Sequence, residues 1–184
     1  MTQLRLLWAA TFAVAALALI GVNLRPALRH CGAQPVSAGP EIHYAPAENL
    51  ERVDVRLIDA ARAAIDMAAY VLTDRAVIGA LERAGERGVK IRIWRDPEMA
   101  ARVGFADVAA TVAPDDPDIA MRVKAWGPIM HLKAYCVDGA VLRTGSANFS
   151  RSGLIEQDND LIVLRSAAAC ARFEARFAKI WGGR

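Results

Sequence analysis

At 184 residues, 54% of them hydrophobic and with a net charge of +3, the chain is too apolar to be disordered and too short for two ordinary catalytic domains. Three arginines (Arg5, Arg25, Arg29) precede the first acid, Glu41, so residues 41–184 hold the other 20 basic side chains against all 20 acidic ones. A formally neutral domain exerts no global electrostatic pull on nucleic acid, and any such binding has to come from a local patch.

The first segment predicted is an uncharged apolar run from Leu6 to Val22, after Arg5 and before Asn23-Leu24-Arg25-Pro26. It is at the short end of what a spanning helix needs and longer than most signal-peptide cores, and no small-x-small cleavage site follows it. Residues 1–22 are therefore expected to be a single-pass signal anchor, with a removed signal peptide as the alternative. The flanking arginines leave the orientation undecided, and the signal-like layout points to an extracytoplasmic, periplasmic domain. Residues 23–40, with Pro26, Gly32, Pro35, Gly39 and Pro40, read as a linker, and 41–184 as the catalytic domain.

Within that domain the pattern predicts a strand at 41–44 and a helix at 48–64 with Leu50, Val53, Leu57 and Ala61 on its apolar stripe. A strand at 65–72 follows, then Asp74 as N-cap of a helix at 75–87 closed by Gly88. A third strand at 89–94 ends at Asp96-Pro97, followed by a partly helical 98–112 and a loop at 113–118. Strands are expected at 121–126 and 131–137, then an Asp138-Gly139 turn into 140–142, a strand at 161–164, and a last helix at 166–181 with Cys170, Phe173, Phe177 and Ile180 inward. Alternation of β and α followed by a hairpin implies an α/β fold: a mixed β-sheet with helices on both faces, preceded by the N-terminal hydrophobic helix.

The chemistry is concentrated in His131-x-Lys133, Asp138 and Gly145-Ser146-x-Asn148, six residue types at fixed offsets within 18 residues. Such a pattern arises by chance at about 10⁻⁸ per starting point. On a strand, residues i and i+2 share a face, so an imidazole and an ammonium stand side by side. Small residues in the Gly145–Asn148 turn bring a hydroxyl and an amide next to them, and the whole forms an anion pocket containing a nucleophile. Three histidines (His30, His43, His131) and three cysteines (Cys31, Cys136, Cys170) show no local metal-ligand spacing, so no metal or cofactor is expected. The cysteines, odd in number and with Cys136 expected as a buried strand residue, leave the compartment open.

These residues match the HxKx4Dx6GSxN signature, and the chain resembles the phospholipase D superfamily from about Glu41 to Trp181. It is most similar to the single-motif branch of Nuc-type and Zucchini-type endonucleases. With one motif copy, the resemblance implies a symmetric homodimer whose active site is shared across the two-fold axis. It further implies that one His131 attacks phosphorus to form a phosphohistidine while the partner's His131 protonates the leaving oxygen. Lys133, Ser146 and Asn148 of each subunit would bind the phosphate oxygens, and Asp138 at the hairpin turn would be structural. A bell-shaped pH profile and full activity in chelator are expected.

In relatives of this branch an acid downstream of GSxN orients the nucleophile; the same offset here lands on Asn159, with Asp160 as the alternative. Arg92, Arg95, Arg122, Lys124, Arg143 and Arg151 are candidates for a local nucleic-acid patch. The resemblance thus implies a phosphodiesterase, expected first as an endonuclease on DNA or RNA. A phospholipid hydrolase acting on phosphatidylcholine or cardiolipin is the alternative, followed by a non-catalytic adaptor. Substrate partners are accordingly nucleic acid or phospholipid, with membrane association through the N-terminal anchor.

Overall fold

The computed structural model describes residues 39–102, 118–125 and 127–182. The expected N-terminal anchor, nearly all of the linker, the C-terminal part of the 98–112 segment and almost all of the 113–118 loop lie outside the described residues. Among the described residues no helix is long and apolar enough to cross a membrane.

The elements run β1 (Glu41–Ala45), α1 (Leu50–Asp59), β2 (Ala64–Ala69), α2 (Arg75–Glu86), β3 (Lys90–Arg95), α3 (Pro97–Arg102), β4 (Ile119–Val123), β5 (Lys133–Val137), β6 (Val141–Thr144), a π-helical turn (Ser152–Glu156), β7 (Asn159–Arg165) and α4 (Ala167–Trp181). The strands form one mixed sheet in the order β1-β7-β6-β5-β2-β3-β4. β2–β3 and β3–β4 are parallel, and the other pairs are antiparallel. One face is covered by α1 and α2, whose Leu50, Val53, Leu57, Val77 and Leu81 join Ile65, Met67, Ile91 and Tyr135 in the main core. On the other face α4 lays Phe177 against Ala68, Trp94 and Met130. Helices therefore cover both faces, as the element pattern requires.

Local chemistry sets the boundaries. The Asp74 carboxylate accepts from the backbone N–H of Ala76 and Val77 (3.0 and 3.1 Å), starting α2, and Gly88 at φ 83° follows its end. Asp138 and Gly139, at φ 53° and 64°, make the paired left-handed turn that a two-residue hairpin needs between β5 and β6. Helix α1 is shorter than expected, ending at Asp59, because the backbone N–H groups of Arg62, Ala63 and Ala64 turn away to the Asp138 carboxylate (3.0, 2.8 and 2.9 Å). β2 stops at Ala69 instead of Leu72, and Leu72 forms a parallel bridge to Phe149.

Asp138 is thus the structural residue of the motif. Burial raises its carboxyl and the three N–H donors outweigh burial, leaving its pKa below the ordinary value. The stability it supplies is present above the unfolded carboxylate value near 3.9 and is lost as pH falls through the lower folded value. Asp138→Ala is expected to cost about 2 kcal/mol at neutral pH, discounted for partial exposure, with a smaller cost in acid; urea melts at two pH values measure both.

Cys136 and Cys170 form a disulfide joining β5 to α4, with Cα atoms 5.6 Å apart. Both positions were readable as inward-facing, but their pairing was not. Closing the 34-residue separation restricts the unfolded chain by about 3–4 kcal/mol on the chain-entropy account.

Candidate active site

The parallel strands β2, β3 and β4 end at the same sheet edge where β5 and β7 begin, and β6 delivers the Gly145–Asn148 turn there. Ligands of α/β sheets bind at this kind of edge, outside the carboxyl ends of parallel strands. His131 lies at that edge two residues before β5, exposed to solvent, so the ordered strand starts later than the sequence pattern implies. Two hydrogen bonds hold its neighbours: Tyr70 N–H donates to Leu132 O (2.9 Å), and Met130 N–H donates to the Asp96 side chain at Oδ2 (2.9 Å). The Tyr70 ring packs against the imidazole at 4.5 Å between centroids.

Lys133 is 7% exposed, its Nζ donating to His131 O (2.8 Å) and lying 4.5 Å from the centre of the same Tyr70 ring. Among the described residues no carboxylate pairs with it. Burial lowers its ammonium from the usual lysine value to about 8. A cation in that state is poised for an anionic substrate, and it loses its charge as the pH rises through about 8. The free-enzyme rate constant kcat/KM is accordingly expected to fall across that range. Lys133→Arg should shift the fall to higher pH while lowering the plateau, since a guanidinium stays charged but does not fit the same space.

The GSxN turn is held by β7. Ser146 Oγ donates to Asn159 Oδ1 (3.0 Å) and accepts from Asp160 N–H (2.9 Å), while Ser146 N–H donates to Asp160 Oδ1 (3.1 Å). Gly145, at φ 137°, has Asp160 O only 2.4 Å from where a Cβ would sit, so no other residue fits. Asn159 Nδ2 donates to Gly153 O (3.0 Å) and to Gln157 Oε1 (3.3 Å). Asn159 and Asp160 thus position the turn, and neither bonds His131 within the chain. Asn148 follows, its Oδ1 buried without a partner among the described residues, and Phe149 O accepts from Thr73 and Asp74 N–H (2.8 and 3.0 Å).

Beneath the site is a buried cluster. Arg143 donates from Nε and Nη2 to the two Asp54 oxygens (2.9 and 3.0 Å), and from Nη1 to Lys133 O (2.9 Å) and Ala147 O (3.2 Å). Tyr135 Oη donates to Asp54 Oδ1 (2.9 Å), and Arg143 stacks 4.5 Å above Phe149. One guanidinium therefore ties the HxK strand to the GSxN turn. This corrects the reading of Arg143 as a nucleic-acid contact, because it is fully buried.

The rest of the expected basic patch is also reduced. Arg95 is fully buried, Arg92 pairs with Asp66 (2.7 and 2.6 Å), and Arg151 pairs with Glu156 (3.3 Å). Arg122 and Lys124 remain, lining a cavity of about 1090 Å³ that also includes His131. Asp54, Tyr70 and Asp96 were not singled out as site residues. Asp54 had a visible signal, an acid on the apolar stripe of α1 between Val53 and Leu57.

The chain matches the family described as "Cardiolipin synthase, PLD-like domain" over residues 55–181. Among curated proteins it is similar to a mitochondrial cardiolipin hydrolase of Chlamydomonas reinhardtii, 26% identical over 117 residues, covering 64% of this chain and 51% of that protein. It is also similar to a mitochondrial cardiolipin hydrolase of Drosophila melanogaster, 27% identical over 147 residues, with 69% and 56% covered. The chain spans about half the length of these relatives. Among solved structures it resembles Nuc from Salmonella typhimurium, a phospholipase D family member, with a TM-score of 0.70 and 27% identity over 78% of this chain and 93% of that one. NucT from Helicobacter pylori, at TM-score 0.68 and 20% identity over 78% and 95%, shares the fold. The HxK and GSxN segments at one sheet edge, the domain-wide family match and the Nuc-like topology place this chain in the phospholipase D-like family.

Proposed function

We propose that the chain hydrolyses phosphodiesters without a metal, through a phosphohistidine on His131, and that its substrate is a phospholipid. The observation that carries the reaction is the juxtaposition of an exposed His131 with the buried Lys133, bonded to its carbonyl, and the Gly145–Asn148 turn. His131 attacks phosphorus and the alcohol leaves, taking a proton from a second imidazole. Water, deprotonated by that second imidazole, then cleaves the P–N bond and releases a phosphomonoester. Lys133 and the Asn148 amide neutralise and orient the non-bridging oxygens.

The second imidazole does not come from His43, which sits on β1 three strands from β5 and bonds Glu48 (2.7 Å). A homodimer with the partner's His131 facing across a two-fold axis supplies it. The disulfide supports an extracytoplasmic location, since such bonds persist in oxidising compartments. A single-pass anchor at residues 1–22 would hold the domain at a bilayer.

Phospholipid is preferred because the domain is formally neutral and, of the six basic residues expected to form a local patch, Arg95 and Arg143 are buried while Arg92 and Arg151 are paired with acids. The cardiolipin chemistry named for the curated relatives and the family supports the same choice. A Nuc-type endonuclease on DNA or RNA is the second reading, supported by the likeness to Nuc over nearly all of that chain.

The test sets the full chain against cardiolipin and phosphatidylcholine vesicles, single- and double-stranded DNA, and RNA, with and without EDTA. Phospholipid cleavage unaffected by chelator is the expected result. Cleavage of nucleic acid alone selects the second reading, and loss of turnover in EDTA overturns the metal-free mechanism.

A further inference from the structure

We propose that the cavity beside His131 is an acyl-chain subsite, a specificity device resting on the phospholipid reading. It opens between the β3–β4 end of the sheet and α4, and His131 stands in its wall. At about 1090 Å³ it is slightly larger than the roughly 300–1,000 Å³ usual for small-molecule sites. Much of its accessible apolar wall is aliphatic: Ile129 and Leu132, 58% and 40% exposed, flank the catalytic imidazole, and the half-buried Ile180 and Trp181 face them from α4.

Three cations, Arg122, Lys124 and Arg176, line the same cavity, and among the described residues no acid does. Two of them are bonded to backbone carbonyls, Arg122 to Trp181 O (3.0 Å) and Lys124 to Pro128 O, and among the described residues no acid pairs with either. Aliphatic wall and cations together fit a ligand that is apolar at one end and anionic at the other.

Among the described residues, the state of the aromatic rings at the cavity favours a lipid chain over a base. Strand-binding sites offer open aromatic faces on which bases stack. Here Trp94 is 7% exposed, and Trp181 has Arg122 at 4.5 Å from its ring and Phe177 stacked at 5.6 Å. Those rings are engaged within the fold. With the phosphate at His131 and Lys133, an acyl chain runs along Ile129, Leu132 and Ile180, and the cations meet the anionic head of the same or a neighbouring lipid.

The experiment measures kcat/KM of the full chain on dibutyryl, dihexanoyl and dioctanoyl phosphatidylglycerol, presented as monomers, and on the chainless diester bis(p-nitrophenyl) phosphate. The rate is expected to climb by roughly tenfold or more from the shortest to the longest chain, because each buried methylene contributes. Ile129→Asp, at an exposed position that the fold tolerates, should cut the long-chain to chainless ratio about tenfold. Arg176→Glu should lower the preference for phosphatidylglycerol over phosphatidylcholine.

Phospholipid hydrolysis indifferent to chain length overturns the subsite alone. Hydrolysis of the chainless diester and of single-stranded DNA, with no phospholipid cleaved, overturns the phospholipid reading and the subsite with it. An Ile129→Asp chain that changes its sedimentation mass while keeping its chain-length preference assigns the surface to contact between copies and also overturns the proposal.

Discussion

His131→Asn is expected to lower turnover of every phosphodiester by about 10⁴-fold or more while changing the melting temperature little. The imidazole is exposed and its backbone neighbours are held by Tyr70 and Asp96, so the substitution removes the proposed nucleophile at the cost of one solvent-facing ring contact with Tyr70. Asparagine keeps the polarity and approximate size but has no lone pair able to form a phosphoramidate. In a symmetric dimer the change also removes the general acid, which is why the loss should exceed that of a proton donor alone. Two measurements check it: kcat/KM on bis(p-nitrophenyl) phosphate, and acid quenching during turnover, which should trap a labile phosphorylated wild-type chain and none from the variant. Residual activity within tenfold of wild type would place the nucleophile elsewhere.

How much of this was legible in the sequence depends on whether a residue acts through its local spacing or through a distant partner. The hairpin at Asp138-Gly139, the Asp74 cap and the apolar stripe of α4 are local, and each formed as read. The HxK and GSxN segments were found because they are close in sequence and fold to one edge. Arg143 was misread because an arginine on a short strand looks the same whether it faces water or an acid; its partner Asp54 is 89 residues away. The Cys136–Cys170 pairing was hidden for the same reason, since each cysteine alone reads as a small buried apolar residue. The early end of α1 follows from backbone groups captured by Asp138, contacts that periodicity does not encode.

Removing the buried cation is the second large effect. Arg143→Met leaves the Asp54 carboxylate in a fully buried site with Tyr135 Oη as its remaining side-chain donor, and is expected to destabilise the fold by about 3–5 kcal/mol. Arg143→Lys should recover only part of this, because an ammonium cannot bond both Asp54 oxygens and the carbonyls of Lys133 and Ala147 together. Burial already pushes the Asp54 carboxyl upward against the pull of Arg143. Without the arginine that shift grows, so Asp54 takes up a proton more readily on folding. A group whose folded pKa is raised gives its full stability below the unfolded value and loses it as pH rises, so the penalty of Arg143→Met should shrink in acid and grow toward neutrality. The paired variant Asp54→Leu with Arg143→Met removes both charges and should regain much of the lost stability, since apolar replacement of a buried ion pair is often neutral or better. Activity should not return with it, because the guanidinium that joins the β5 strand to the GSxN turn is gone. Urea denaturation at several pH values, set beside kcat/KM for the single and paired variants, separates the two roles. A paired variant that recovers stability and turnover together would show that Lys133 and Asn148 keep their places without the clamp.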